Sequence, residues 1–459
     1  MAAAAGVGLS AVVASGEQIL GARWGLLVRL GVWTVPWAAG VVCAFRLPRR
    51  ITMPAVFAAA VGLRLAALAG PPITSDDLYR YSWDAQVQAS GTDPYRYTPD
   101  SDQLAGLHDK WLWPDAAHCA KLHRPEGCTR INRPSVHTIY PPLAEAWFTS
   151  VHSVAGIAGG GGRHKTWQVA GLVGDLALVG LLPTVLRAWR RDERWAALYA
   201  LSPVPVLEVV NNGHVDGLAA LLVVAALLAA ARRRPGWAGA LVGAAALVKL
   251  YPALLVLGLL GAGGLRWRSS FLRVVGAAGA VFAAGYLPHL AVVGLRVIGY
   301  LPGYLREEHY DQGGRYLLAG ALGLPTALTT GLAFAALAAV AGWVVLRRPQ
   351  PPRACAALLG ALLLAVTPVQ PWYSVTLLAL ATAAAAPAWS ALAVAGYPYF
   401  FAVILDSPQA VAIGRISYGL ALLAIILGSL TAPAGRRRSR SPDPCRAGPR
   451  YHGRRRADP

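Results

Sequence analysis

Residues 51–86, "ITMPAVFAAAVGLRLAALAGPPITSDDLYRYSWDAQ", begin as an apolar run and end as an acid-rich, aromatic one. The first part, 51–70, has the length and composition of a bilayer span. Comparable runs recur at 25–45, 274–294 and 410–430. They are continuous and rich in Ala and Leu, without the alternation of a membrane barrel strand, so the chain reads as an all-α polytopic membrane protein. Composition agrees. Of 459 residues, 56% are hydrophobic and only 14% charged, whereas a soluble globular domain carries about 25% charged residues.

The net charge of +20 could suggest a nucleic-acid partner, but its placement argues otherwise. Arginines gather in short clusters between apolar runs, at 46–50, 187–194, 232–234, 266–273 and 347–348. Such clusters mark the cytoplasmic ends of spans. The tail 432–459, basic and rich in Ser and Pro, reads as a disordered cytoplasmic segment that at most touches anionic headgroups. Residues 1–24 are apolar but lack the basic start of a cleaved signal, which leaves an extra short helix or a misplaced start.

With every basic cluster inside, the span 51–70 rises to the outer face, and a hydrophilic stretch, 71–140, follows there. Connections of this length in a compact fold are usually functional. A second outer loop is expected at 300–316, "YLPGYLREEHYDQGGRY", and the C-terminus returns inside. Segment 238–262 has basic clusters on both sides, so it is expected to form a hairpin broken between Lys249 and Pro252. The full count is about thirteen transmembrane or re-entrant helices within 25–431. Five cysteines form no metal motif; Cys119 and Cys128 share the first outer loop, where a disulfide is compatible with an oxidising side.

This topology leaves a few cationic or titratable groups on the acidic outer side: Arg80, Arg96, His214, Lys249, His309 and Arg315. "SDDLYRYSWD" (75–84) has a capping reading, with Ser75 as N-cap and acids in the first turn. It also has a catalytic one, in which a carboxylate at the membrane exit acts as a base. Helical spacing groups Asp77, Tyr81 and Asp84 on one face, and Asp76 with Arg80 on another. "NNGHVDG" (211–217) sets His214 and Asp216 between two apolar segments, an expensive position unless it lines a cavity. Lys249, one of four lysines, sits within an apolar stretch where insertion costs about 2.5–3.5 kcal/mol. It calls for an anionic partner, and a phosphate fits.

These groups suit sugar transfer from a lipid phosphate. The departing phosphate needs cations, and the acceptor hydroxyl needs one general base. Displacement inverts the sugar's configuration. Protein cations can hold the phosphate, so no cofactor is required, and a divalent metal remains compatible. No Gly-rich nucleotide motif lies on the cytoplasmic side.

"SDDLYRYSWDAQVQASGTDPYRYTPD" (75–100), "INRPSVHTIYPPLAEAWF" (131–148), "NNGHVDG", "ALVKLYP" (246–252) and "PVQPWY" (368–373) occur in that order. Together they resemble actinobacterial GT-C glycosyltransferases of family 87, the polyprenol-phosphate-mannose-dependent mannosyltransferases and their alpha-1,6-mannopyranosyltransferase relatives. The likeness spans roughly residues 50 to 430. It implies a GT-C-like fold, a site beneath the first extracytoplasmic loop at the plasma membrane, and an aspartate base soon after a span. It also implies a polyprenyl-phosphate sugar donor and a glycolipid or glycan acceptor. By motif position the base is Asp77 or Asp76, with Asp77 preferred for the face it shares. Arg80, Tyr81, Asp84, Tyr140, His214, Asp216, Lys249 and Arg315 are the candidate substrate-binding residues. Trp83-Asp84-Ala85 and Asp93-Pro94-Tyr95 depart from the Trp-Asp-Gly and Asn-Pro-Tyr common in the family. Two alternatives stay open: a polyprenyl-phosphate arabinose donor, and a transporter or flippase for lipid-linked saccharides.

Overall fold

The computed structural model describes residues 1–122, 124–157, 163–262 and 267–431. The basic tail expected at 432–459 lies outside them. Among the described residues all regular structure is helical. Seven helices are long and apolar enough to cross a membrane: Trp24–Arg46, Arg49–Ala69, His164–Ala188, Arg268–Glu307, Thr326–Arg347, Pro387–Ile404 and Ala410–Thr431. Shorter apolar helices, among them Asp216–Ala231 and Pro351–Val366, lie beside them. Residues Ala2–Ala14 form a helix that packs on the first two spans.

The arginine clusters meet at one end of the bundle. Arg49 pairs with Asp192 at 3.2 Å, Arg194 donates to the Phe45 carbonyl, and Arg191 donates to Gln350. Helices that leave this end apolar arrive at the other among the polar motifs. Helix Pro351–Val366, for example, runs from Pro351 beside that cluster to Val366 in the cavity described below.

Segment 238–262 folds as the expected hairpin. Helices Pro235–Ala246 and Tyr251–Ala262 pack side by side, and Lys249 sits in the turn between them. Gly239 and Gly243 seat the first of these on the long helix Trp267–Val293. A Cβ on Gly239 would fall 2.1 Å from the Val274 carbonyl oxygen, and one on Gly243 2.5 Å from that of Ala278. Small residues four apart permit such a seam.

A buried ion pair fixes the second span to helix His164–Ala188. Arg64 Nε lies 2.5 Å from Asp175 Oδ2 with both side chains fully enclosed, and Tyr199 donates its hydroxyl proton to the other carboxylate oxygen. Arg64→Met leaves that carboxylate uncompensated, and is expected to cost about 3–5 kcal/mol. Thermal unfolding in detergent reads the loss; Arg64→Met with Asp175→Leu should recover most of it.

Beyond the polar end, the stretch after the second span folds onto a second, separate core. Helix Asp77–Ala89 contributes Leu78, Tyr81 and Trp83, and helix Pro142–Ile157 contributes Phe148 and Val151. Cys119 and Cys128 are joined by a disulfide that closes the tip of this region.

Candidate active site

A cavity of about 490 Å³ opens between the folded loop and the polar ends of the helices. Asp77, Arg80, Asn132, Arg133, Tyr140 and Lys249 line one part of it; Tyr304, Tyr316, Phe334 and Val366 line another, more apolar part. Phe334 is 52% exposed on the outer surface of its helix, so the apolar part reaches the side of the bundle.

Local geometry separates the two aspartates. Asp76 occupies the N-cap position of helix Asp77–Ala89 without making a side-chain capping bond, and its carboxylate takes a bond from Arg124 at 3.1 Å. Burial pushes the Asp76 carboxyl above its ordinary value while Arg124 pulls it back. It does not line the cavity. Ser75 Oγ accepts the Asp77 backbone N–H at 3.2 Å, so Ser75 does part of the expected capping. Asp77 lines the cavity with a side chain 16% exposed. Its Oδ1 accepts from Asn132 Nδ2 at 2.7 Å, and its Oδ2 lies 3.6 Å from His214 Nδ1.

The backbone ahead of Asp77 is held from the bundle. Asn212 Oδ1 accepts from the Ile73 and Thr74 amides, and Asn211 Nδ2 donates to the Ala67 and Pro71 carbonyls. Both asparagines are buried. They extend from a wide π-helical turn, Val206–Asn211, and Gly213 follows at φ +72°, a conformation that costs glycine nothing. "NNGHVDG" is therefore a staple for the segment that carries the aspartates.

Arg80 also reaches the cavity, but its expected grouping with Asp76 is corrected. The guanidinium extends one turn along the helix to Asp84, with Nε 2.9 and 3.1 Å from the two carboxylate oxygens, and Nη1 donates to the Val136 carbonyl. An i to i+4 reach on one helix is short for so long a side chain. Asp84 and Tyr81 lie behind the cavity wall: Asp84 is enclosed beside Arg80, and Tyr81 stacks on Phe148 at 4.3 Å. Burial raises Asp84 and the Arg80 charge opposes it.

Lys249 finds its anionic partner in Asp216, with Nζ 3.4 Å from Oδ2, and its ammonium lies over the rings of Tyr140 and Tyr373 at 5.1 and 5.5 Å. Asp216 is fully enclosed; Lys249 is 14% exposed and lines the cavity. Arg315 does not reach it. Its guanidinium is taken by Glu308 at 2.5 Å and by the Tyr399 hydroxyl. His214 is fully buried and stacked on Trp372 at 4.1 Å, behind Asp77.

The sequence reading passed over Asn132 and Arg133. Both lie in "INRPSVH", quoted for its resemblance alone, and nothing in their spacing says that they fold back over Asp77. Arg133 lines the cavity while pairing with Glu307 at 2.5 Å. Among the described residues no group of three or more His, Cys, Asp or Glu side chains is placed to hold a metal ion.

The cavity therefore joins one accessible carboxylate, three cations and an apolar flank that reaches the bundle's side. The sequence model of glycosyltransferase family 87 matches residues 139–368, half of the chain. The chain belongs to glycosyltransferase family 87. Membership makes it a multi-pass membrane glycosyltransferase and sets aside the transporter or flippase alternative. The matched region holds Tyr140, His214, Asp216, Lys249 and Arg315, and begins after the aspartates of helix Asp77–Ala89. No curated protein and no solved structure matches the chain.

Proposed function

We propose that this family 87 enzyme transfers mannose from a polyprenyl-phosphate donor to a cell-envelope glycolipid or glycan, with inversion, on the extracytoplasmic face of the plasma membrane. The observation that carries the reading is the shared wall of Asp77, Arg80, Arg133 and Lys249. Asp77 is the general base for the acceptor hydroxyl. The cations face the phosphate as it departs, so no metal or other cofactor is required. The flank of Tyr316, Phe334 and Val366 suits the first isoprene units of a lipid donor. The orientation rests on the arginine clusters gathered at the opposite end. Mannose is chosen on the ordered motifs that resemble the mannosyltransferases.

The test is transfer by purified protein in detergent, with envelope glycolipids from cells lacking the gene as acceptors. Labelled polyprenyl-phosphate mannose is expected to yield a product carrying the label with inverted configuration. Label transferred only from polyprenyl-phosphate arabinose would replace the sugar. Label transferred from neither, but from a nucleotide sugar, would overturn the lipid donor.

A further inference from the structure

Behind Asp77 lies a row of buried groups that the reaction above does not use. His214 Nδ1 is 3.6 Å from Asp77 Oδ2, and its Nε2 is 3.5 Å from Glu208 Oε2. Both separations lie just beyond hydrogen-bond length, and neither ring nitrogen has a hydrogen-bond partner, although the ring is wholly enclosed. Buried polar atoms left this way are rare and call for an explanation. Glu208 is itself fully enclosed, but not loose: Tyr397 donates to Oε1 at 2.7 Å and Asn212 to Oε2 at 3.0 Å. Trp372 stacks on one face of the imidazole, and the two carboxylates lie at similar distances from its two nitrogens.

We infer that His214 and Glu208 form a proton-holding relay for Asp77, His214 taking the acceptor's proton from the base and Glu208 stabilising the imidazolium. The inference rests on Asp77 as the base. In the step, the acceptor oxygen forms its bond to the anomeric carbon while the bond from that carbon to the phosphate oxygen breaks, its electron pair leaving with the phosphate. The acceptor's proton goes to Asp77 Oδ2 and on to His214 Nδ1. Asp77 returns to its anionic form before product leaves, and the proton goes back through Asp77 to water once the cavity refills. His214 and Glu208 touch no reacting atom; they are positioning residues.

Each neighbour fits this cycle. Burial pushes the imidazole below the ordinary histidine range, so it is neutral at rest and takes a proton only where neighbouring carboxylates offset that desolvation. Of the titratable groups around it, Asp77 favours the imidazolium and Lys249 opposes it, while burial pushes Glu208 up to about 7. Asp216 in turn holds Lys249. Once ionised, the Glu208 carboxylate, 3.5 Å from Nε2, gives a transient imidazolium a second counter-charge beside Asp77.

The experiment is the pH profile of kcat for mannose transfer by the full-length protein in detergent, using polyprenyl-phosphate mannose and envelope glycolipids. Glu208→Gln is expected to lower the plateau of kcat about tenfold with the donor KM unchanged. The acid limb should move about one pH unit lower, because protonation of His214 contributes to it alongside that of Asp77 and the lost carboxylate disfavours the imidazolium. His214→Gln should leave only the limb set by protonation of Asp77, and Glu208→Gln added to it should shift that limb no further. Tyr397→Phe, which deletes one hydroxyl on Glu208, should give a smaller fall of about threefold and serves where Glu208→Gln yields no folded protein. An unshifted limb in Glu208→Gln, or in Tyr397→Phe where that variant stands in, means a structural role and overturns the relay. If Asp77→Asn is inactive while the His214 and Glu208 variants match the wild type, the relay alone fails. If Asp77→Asn is fully active, the base assignment fails first.

Discussion

Asp77→Asn is expected to lower kcat for sugar transfer about a thousandfold, the range a positioned general base contributes. Asparagine keeps the shape of the side chain and still offers Oδ1 to Asn132, so the helix start and the cavity wall should persist. What disappears is the ability to take a proton from the acceptor hydroxyl. Donor affinity should change little, and the deficit should appear in kcat rather than in KM. Asp76→Asn is the control. Its carboxylate pairs with Arg124 and does not line the cavity; the two side chains are 34% and 40% exposed, and such pairs contribute little. It should retain transfer within about threefold. Wild-type rates in Asp77→Asn, and in the double variant, would remove this aspartate pair from the chemistry.

Lys249→Met carries the second large effect, and it mixes two losses. One is electrostatic: a cation on the cavity wall no longer meets the departing phosphate, a loss of about a hundredfold in kcat. The other is structural: Asp216, fully enclosed, loses the cation that holds it, which costs about 3–5 kcal/mol. Lys249→Met combined with Asp216→Asn separates them. The double variant should regain the thermal unfolding temperature of the wild type while transfer stays about a hundredfold low. Recovery of both would leave Lys249 as a counter-ion for Asp216 and nothing more.

Much of this was written in the chain at the level of segments. Continuous apolar runs and arginine clusters specify helices, their ends and which ends lie together. Lys249-Leu250-Tyr251-Pro252 also announces its break, since a cation and a proline in mid-run admit few alternatives. The site is legible only in part, because helical spacing says which residues share a face and not what covers that face. Arg80 was grouped with Asp76 by spacing, yet its length carries it to Asp84. Arg315 looked like an outer-face cation free to meet a substrate, whereas Glu308, seven residues earlier, returns to it through the turn. Glu208 was invisible. It is one acid in "VPVLEVV", and only the fold brings Tyr397 and His214 to its side.

The asparagine staple has a consequence for how the enzyme comes into being. Residues 67–74 are made early, but the side chains that fix them belong to Asn211 and Asn212, more than a hundred residues later. Gln18 and Ile19 already donate to the Pro72 and Ile73 carbonyls, but until that turn has docked the Ile73 and Thr74 amides lack their side-chain acceptors. A nascent chain halted before residue 206 would carry its aspartates without the asparagine bonds to residues 67–74. The segment ahead of Asp77 thus completes its hydrogen bonds late in synthesis, when the surrounding helices are already in position.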